Sequence, residues 1–226
     1  MCGRKALPND YSEIRIQFSL TSTPLNLRPR YNVAPTQTHP IVRPSADGGR
    51  ELVMMRWGLI PVWAKDMKVG FKMINARAET VATSGAFRNA FKARRCLVPA
   101  GAFYEWKKID TKTKQPYAIA MKDKKVFGFA GLWERWKGPE GPVDSYTIIT
   151  TEPNELCAPI HDRMPVIVAP KDYGKWMDVD GTSPEEALKM LRPYPASKMT
   201  AWPVSTHVNK PANDDVRCLE PVSLAR

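Results

Sequence analysis

Apolar and polar positions alternate in short runs along most of this chain, and few runs repeat at helical spacing. Segments 96–106, 116–121, 126–133, 146–151 and 164–168 are β-branched or aromatic and bounded by turn residues, so each is predicted as a strand. Ile41 with Val42, and 52–55, read as two further strands joined through the turn Asp47-Gly48-Gly49. Helical spacing is confined to short stretches. Ile14 and Phe18 lie four apart within 11–20. Phe87, Ala90 and Phe91 fall at i, i+3 and i+4, giving a short helix over 85–95 whose outer face carries Arg88, Lys92, Arg94 and Arg95. Another helix is expected after Thr151, ending near Pro159. Ser183-Pro184-Glu185-Glu186 combines a serine cap, a first-position proline and first-turn acids, with Ala187, Leu188 and Leu191 facing the core. Prolines bound 28–35 and exclude a helix interior there. Segment 56–66, with Gly58 and Pro61 between two tryptophans, reads as a surface loop. The pattern predicts an α+β class protein: one β-rich domain over 1–226 with mixed sheets and short peripheral helices.

Composition narrows the class. A hydrophobic share of 43% supports a sizeable core, and 21 prolines favour short strands and loops over long helices. No apolar run reaches the roughly 18 residues of a membrane span, and the polar, basic start lacks a signal-peptide pattern. Cys2, Cys96, Cys157 and Cys218 stand far apart with no C-x-x-C, against both a zinc ribbon and a disulfide framework. No metal or cofactor is expected, and a reduced, cytoplasmic protein is the default. Lys and Arg total 34 against 23 Asp and Glu, a net +11, which favours a polyanion partner or, more plainly, a well-solvated basic surface.

Candidate chemistry starts at the second residue. With Met1 removed, Cys2 would carry a free α-amine beside its thiol, a 1,2-aminothiol able to condense with an aldehyde and close a thiazolidine ring. The other reading is a small buried residue. An α-amine with a pKa of about 8 is partly neutral at pH 7 and so nucleophilic. Glu105, among aromatics in Phe103-Tyr104-Glu105-Trp106, either holds a proton near neutrality through desolvation or is a solvated strand residue. Of three histidines, His39 sits in a loop between Thr38 and Pro40, His207 follows Ser205-Thr206, and His161 has acid and base neighbours in Ile160-His161-Asp162-Arg163. Asn75, within a half-apolar strand, is either a turn residue or a group that positions a nucleophile. Arg77 and Glu79 share a side by period two. Arg4, Arg30-Tyr31, Arg56-Trp57, Trp63, Arg77, Phe87-Arg88 and Arg163 interleave cations with aromatics, which suits a single-stranded nucleic acid or a core with a basic rim.

Seven ordered motifs, MCGR, RYNVAPT, RWGLIPVWAKD, INARAET, RRCLVPAGAFYEWKK, IHDRMPVIV and WPVSTHVN, together resemble the SRAP family, the SOS response-associated peptidases. The resemblance spans nearly the whole chain. It implies the SRAP fold with barrel-like sheets, and a protein that traps abasic sites in single-stranded DNA as a thiazolidine crosslink through Cys2. Implied roles are Cys2 as nucleophile, Asn75 orienting it, Glu105 in acid–base steps and His161 in imine chemistry and reversal. Arg4, Arg77, Arg88 and Arg163 are implied as DNA contacts and Trp63 as part of a wedge, smaller here because Ala64 follows it. Abasic-site lyase and autoproteolytic thiol peptidase activities are implied as further possibilities. A monomer working with single-stranded DNA and replication-fork proteins is expected, on the nucleoid in a bacterium or in the nucleus of a eukaryote. Competing classes are an N-terminal-nucleophile amidohydrolase, which needs two stacked sheets, a protease using Cys2 with His161, and a non-enzymatic single-strand binder.

Overall fold

One sheet closes on itself. The computed structural model describes residues 2–224. In chain order the elements are β1 Lys5–Leu7, α1 Tyr11–Phe18, β2 Arg30–Val33, β3 Thr38–Pro44, β4 Arg50–Trp57, β5 Asn75–Arg77, α2 Arg88–Ala93, β6 Arg95–Ala100, β7 Ala102–Lys108 and β8 Lys114–Met121. They continue with β9 Phe127–Gly138, β10 Gly141–Thr151, β11 Met164–Pro165, β12 Ile167–Val168, α3 Tyr173–Met177, α4 Pro184–Leu188 and β13 Met199–Pro203. The hairpin β9–β10 pairs from Gly138↔Gly141 to Gly131↔Ile148. β10 then runs parallel to β4, β4 antiparallel to β3, β3 meets β6 at Val42↔Leu97, and β6 returns to β9, closing a five-strand barrel. β5 follows along β10 in parallel, aligning Asn75 with Ile148 and Arg77 with Thr150. A second, antiparallel sheet has the order β13-β8-β7-β1-β2.

Period-two alternation sends successive side chains to different cores. On β6, Leu97 packs with Ile14, Phe18, Phe91, Trp176 and the other helix residues. Its neighbours Cys96 and Val98 face a second core shared by both sheets, with Phe103, Ile119, Phe129, Tyr146 and Ile148. Cys2 is fully buried in that second core. All of β6 is therefore buried, which explains its unbroken apolar run. The barrel closure also separates this architecture from the open stacked sheets of an amidohydrolase.

Several expectations change. The single strand expected over 96–106 is two strands in different sheets. Gly101 makes the corner because a Cβ there would lie 2.6 Å from Asn9 Oδ1 and 2.8 Å from Pro8 Cδ. Arg95 is not on an outer helix face. It is buried in β6, donating to the carbonyls of Trp176, Asp178 and Thr182 at 2.7–2.9 Å, where it satisfies orphan acceptors at and beyond the end of α3. The helix expected between Thr151 and Pro159 is absent: residues 155–160 form successive turns instead. Leu188 is exposed while Ala187 and Leu191 are buried. Trp57 lies in β4, not on a surface loop, with Nε1 donating to Ile74 O at 3.0 Å and its ring stacked on Tyr146. His39 is a buried strand residue. β3 meets β6 at one pair only, a setting in which Pro40 is tolerated.

Candidate active site

Strand pairing brings the N-terminal segment to Glu105. Lys5 aligns with Phe103, and Tyr104 N–H donates to Arg4 O at 3.0 Å, so residues 2–4 run on beside β7. Glu105 is 3% exposed, and the solvated alternative falls. Burial pushes its carboxyl up to about 8, with the Asp162 carboxylate adding to the rise. The same burial, with Glu105 second, holds the Cys2 thiol well above its ordinary range. Arg77 is exposed and is not among the groups that act on this thiol, which burial keeps protonated. Met1, whose removal the aminothiol chemistry requires, lies outside the described residues.

The turns at 155–160 deliver His161. Asn154 Oδ1 accepts from Cys157 N–H at 3.0 Å, and His161 N–H donates to Cys157 O at 2.9 Å. His161 Nε2 then lies 3.8 Å from Glu105 Oε2. Its Nδ1 accepts from Arg163 N–H at 3.0 Å and has Asp162 Oδ1 at 2.9 Å. Burial lowers the imidazole's pKa, which favours the neutral ring at pH 7, and Nδ1 faces both the Arg163 N–H and the Asp162 carboxylate. Cys157, buried next to the pair, has its thiol raised to about 12 by burial and then by Glu105. Asn75 anchors Nδ2 on Ile148 O at 3.4 Å, and its Oδ1 is buried with no hydrogen-bond partner among the described residues.

The cations divide into two groups. Arg163 grips Glu79 at 2.5 and 2.9 Å and donates to Thr150 O at 2.7 Å, tying the His161 turn to β10 and β5. Arg4 donates to Asn32 Oδ1 at 2.8 Å and Val208 O at 2.7 Å. Both are thus engaged within the protein. Arg77 and Arg88 are exposed. Trp63 is 59% exposed, held by Nε1 to Gly85 O at 3.4 Å, on a loop that starts at Gly58. Gly58 has φ +116, and a Cβ there would strike Gly70 O at 2.5 Å. Ala64 is buried, its carbonyl accepting from Trp136 Nε1 at 2.7 Å, so Trp63 stands without a bulky neighbour.

Two features escaped the sequence reading. Lys5 is fully buried, with Nζ 2.8 Å from His39 Nδ1 and 2.9 Å from Pro99 O, and burial brings its pKa down to about 7. Asn32 Nδ2 reaches the carbonyls of Val208, Lys210 and Asn213 at 2.6–3.1 Å, while Asp214 accepts from Tyr31 and Asn32 N–H and pairs with Arg30. An asparagine in the half-apolar run RYNVAP was the available signal. His207, Asp215 and Cys218 form the one cluster of metal-ligand types found among the described residues. Its polar atoms are already bonded to one another, to Asn213 and to Arg217. No described helix is long and apolar enough to cross a membrane.

A family model described as SOS response associated peptidase (SRAP) matches residues 1–211. The chain is 46% identical over 224 residues to the abasic site processing protein YoqW of Bacillus subtilis, covering 97% of this chain and 99% of that one. It is 34% identical to the abasic site processing protein HMCES of Gallus gallus, over 87% of this chain and 67% of the other. A crystal structure of a Bacteroides thetaiotaomicron protein superposes with a TM-score of 0.88 at 26% identity, covering 98% of this chain and all of the other.

Proposed function

Because the chain belongs to the SRAP family, whose named relatives process abasic sites, we propose that it traps abasic sites in single-stranded DNA covalently through Cys2. The observation that carries this reading is the N-terminal cysteine buried beside a carboxyl raised to about 8 and a neutral histidine.

The ring-opened sugar of an abasic site exposes an aldehyde. Once Met1 is removed, the neutral Cys2 amine adds to the carbonyl carbon and a carbinolamine forms. Its hydroxyl leaves as water after taking a proton, and Glu105, protonated at neutral pH, is the donor. Glu105 is left as a carboxylate beside His161 and recovers its proton from the iminium nitrogen, which leaves a neutral imine. The Cys2 sulfur then bonds to the imine carbon, and the thiol proton ends on the nitrogen. One aldehyde and one aminothiol thus give one thiazolidine and one water. The buried thiol is protonated at rest, so it adds after the imine forms, as the proton moves to the nitrogen. Asn75, whose buried Oδ1 has no hydrogen-bond partner among the described residues, takes the role of accepting from the Cys2 amine and orienting it. Arg77, Arg88 and Trp63 contact the strand, while Arg163 and Arg4 act by holding the segments that carry His161 and Cys2. An imine left untrapped would instead undergo β-elimination, the lyase outcome.

The test is a denaturing gel of the protein with single-stranded DNA carrying one abasic site, with intact-mass analysis and Cys2→Ala alongside. A heat-stable adduct lost in the variant is expected. No adduct from protein whose mass shows Cys2 exposed sinks the reading and favours amide chemistry.

A further inference from the structure

The mechanism leaves a basic groove unused. Two contiguous depressions of about 520 and 410 Å³ share Ile167, Val168, Tyr194 and Lys198 as common walls. Their rims carry Lys122 and Lys125 from the β8–β9 turn, Lys171 from the turn after β12, Arg192 from the loop after α4, and Lys198 from the turn before β13. All five are exposed. Among the described residues only Lys125 has a carboxylate partner, Asp123 at 3.8 Å. The other acid on the rim is Asp172. Four cations therefore face solvent without a counter-charge.

The arrangement fits a chain of phosphates better than a compact anion. The cations come from four separate segments and line two adjoining depressions, with Lys198 common to both. The floor is apolar, and Tyr194 is half-buried, with Pro193 and Pro195 beside it. Cations along an aromatic and apolar floor are what a single strand uses, with phosphates on the lysines and bases against the ring. The groove is also fastened to the candidate active site. Asn154, which caps the turns leading to His161, donates through Nδ2 to Tyr194 O at 2.6 Å.

We infer that this groove binds the phosphate backbone of the single strand flanking the lesion. The inference rests on the proposed DNA substrate, and it makes affinity depend on strand length beyond what the Cys2 pocket covers.

The experiment is fluorescence anisotropy with lesion-free single strands of roughly 6 and roughly 24 nucleotides, so that no crosslink is needed for a readout. The parent is compared with Lys122→Glu/Lys198→Glu and with Lys137→Glu/Lys189→Glu, an exposed pair of equal charge change outside the groove. The groove variant is expected to bind the short strand like the parent and the long one about tenfold more weakly. Its slope of log affinity against log salt should be shallower by about 1.4, two phosphates' worth for a single strand. The control pair should lose less. Equal loss on both lengths, equal loss in the control pair, or no loss at all overturns the inference. The last result is also what a groove serving an acidic protein would give. Absence of a crosslink to an abasic strand would sink the proposed reaction while leaving this length comparison intact.

Discussion

His161 Nε2 stands 3.8 Å from Glu105 Oε2, and the neutral form of each is the favoured one at pH 7. Burial holds a carboxylic acid close to a neutral imidazole. In the proposed reaction the carboxyl lends its proton to the departing hydroxyl and recovers it from the iminium nitrogen, so the core carries the extra charge only transiently.

Replacing Glu105 tests this directly. Glu105→Gln should slow crosslink formation about a hundredfold below pH 7. The parent rate should fall as pH rises through about 8, and the variant should lack that step. Rates from quenched gel time courses between pH 6 and 9 read both effects.

The same carboxyl has a stability signature. Its folded pKa lies above the unfolded value, so the native state binds the extra proton, and stability is lost as pH rises from about 4.5 to about 8. Glu105→Gln should therefore melt higher than the parent at pH 8, with the gap closing toward pH 5. Thermal melts at the two pH values check it.

Lys5 predicts the opposite slope. Its pKa is about 7 when folded and about 10.5 when unfolded, so the unfolded chain binds the proton in that window and stability rises with pH across it. Lys5→Met should flatten the rise between pH 7 and 10 relative to the parent, in urea midpoints measured at matched ionic strength.

Arg163 should matter through Glu79 and Thr150. Arg163→Ala removes charge-assisted hydrogen bonds and should cost about 1.5–3 kcal/mol in denaturant unfolding, with a crosslinking defect following the loosened His161 turn. Glu79→Ala should cost less alone, and little further in the Arg163→Ala background.

Trp63 predicts a binding loss without a stability loss. At 59% exposure its removal leaves the core intact, while a stacked base is worth about 1–3 kcal/mol. Trp63→Ala should weaken single-strand binding by that amount with an unchanged melting temperature.

What the sequence made legible follows from range. Alternating runs and turn residues located most strands because those signals are local. Glu105 and His161 stood out as polar groups in apolar or charged motifs, yet whether Glu105 was solvated or buried depended on the N-terminal segment crossing beside β7. Arg163 looked like a free cation because Glu79 lies 84 positions away. Lys5 gave no signal, since a three-residue strand has no periodicity and its partner His39 is set by the fold. The helix expected after Thr151 and ending near Pro159 is a run of turns over 155–160.

Arg4 and Asn32 jointly hold Val208, and Asp214 locks the neighbouring strand, so the last stretch of chain is a clasp on the first. Cutting the chain after residue 204 would therefore leave Cys2, Glu105 and His161 in the sequence yet remove the buckle under Arg4, so the N-terminal segment would lose its anchor although no residue of the candidate site had changed.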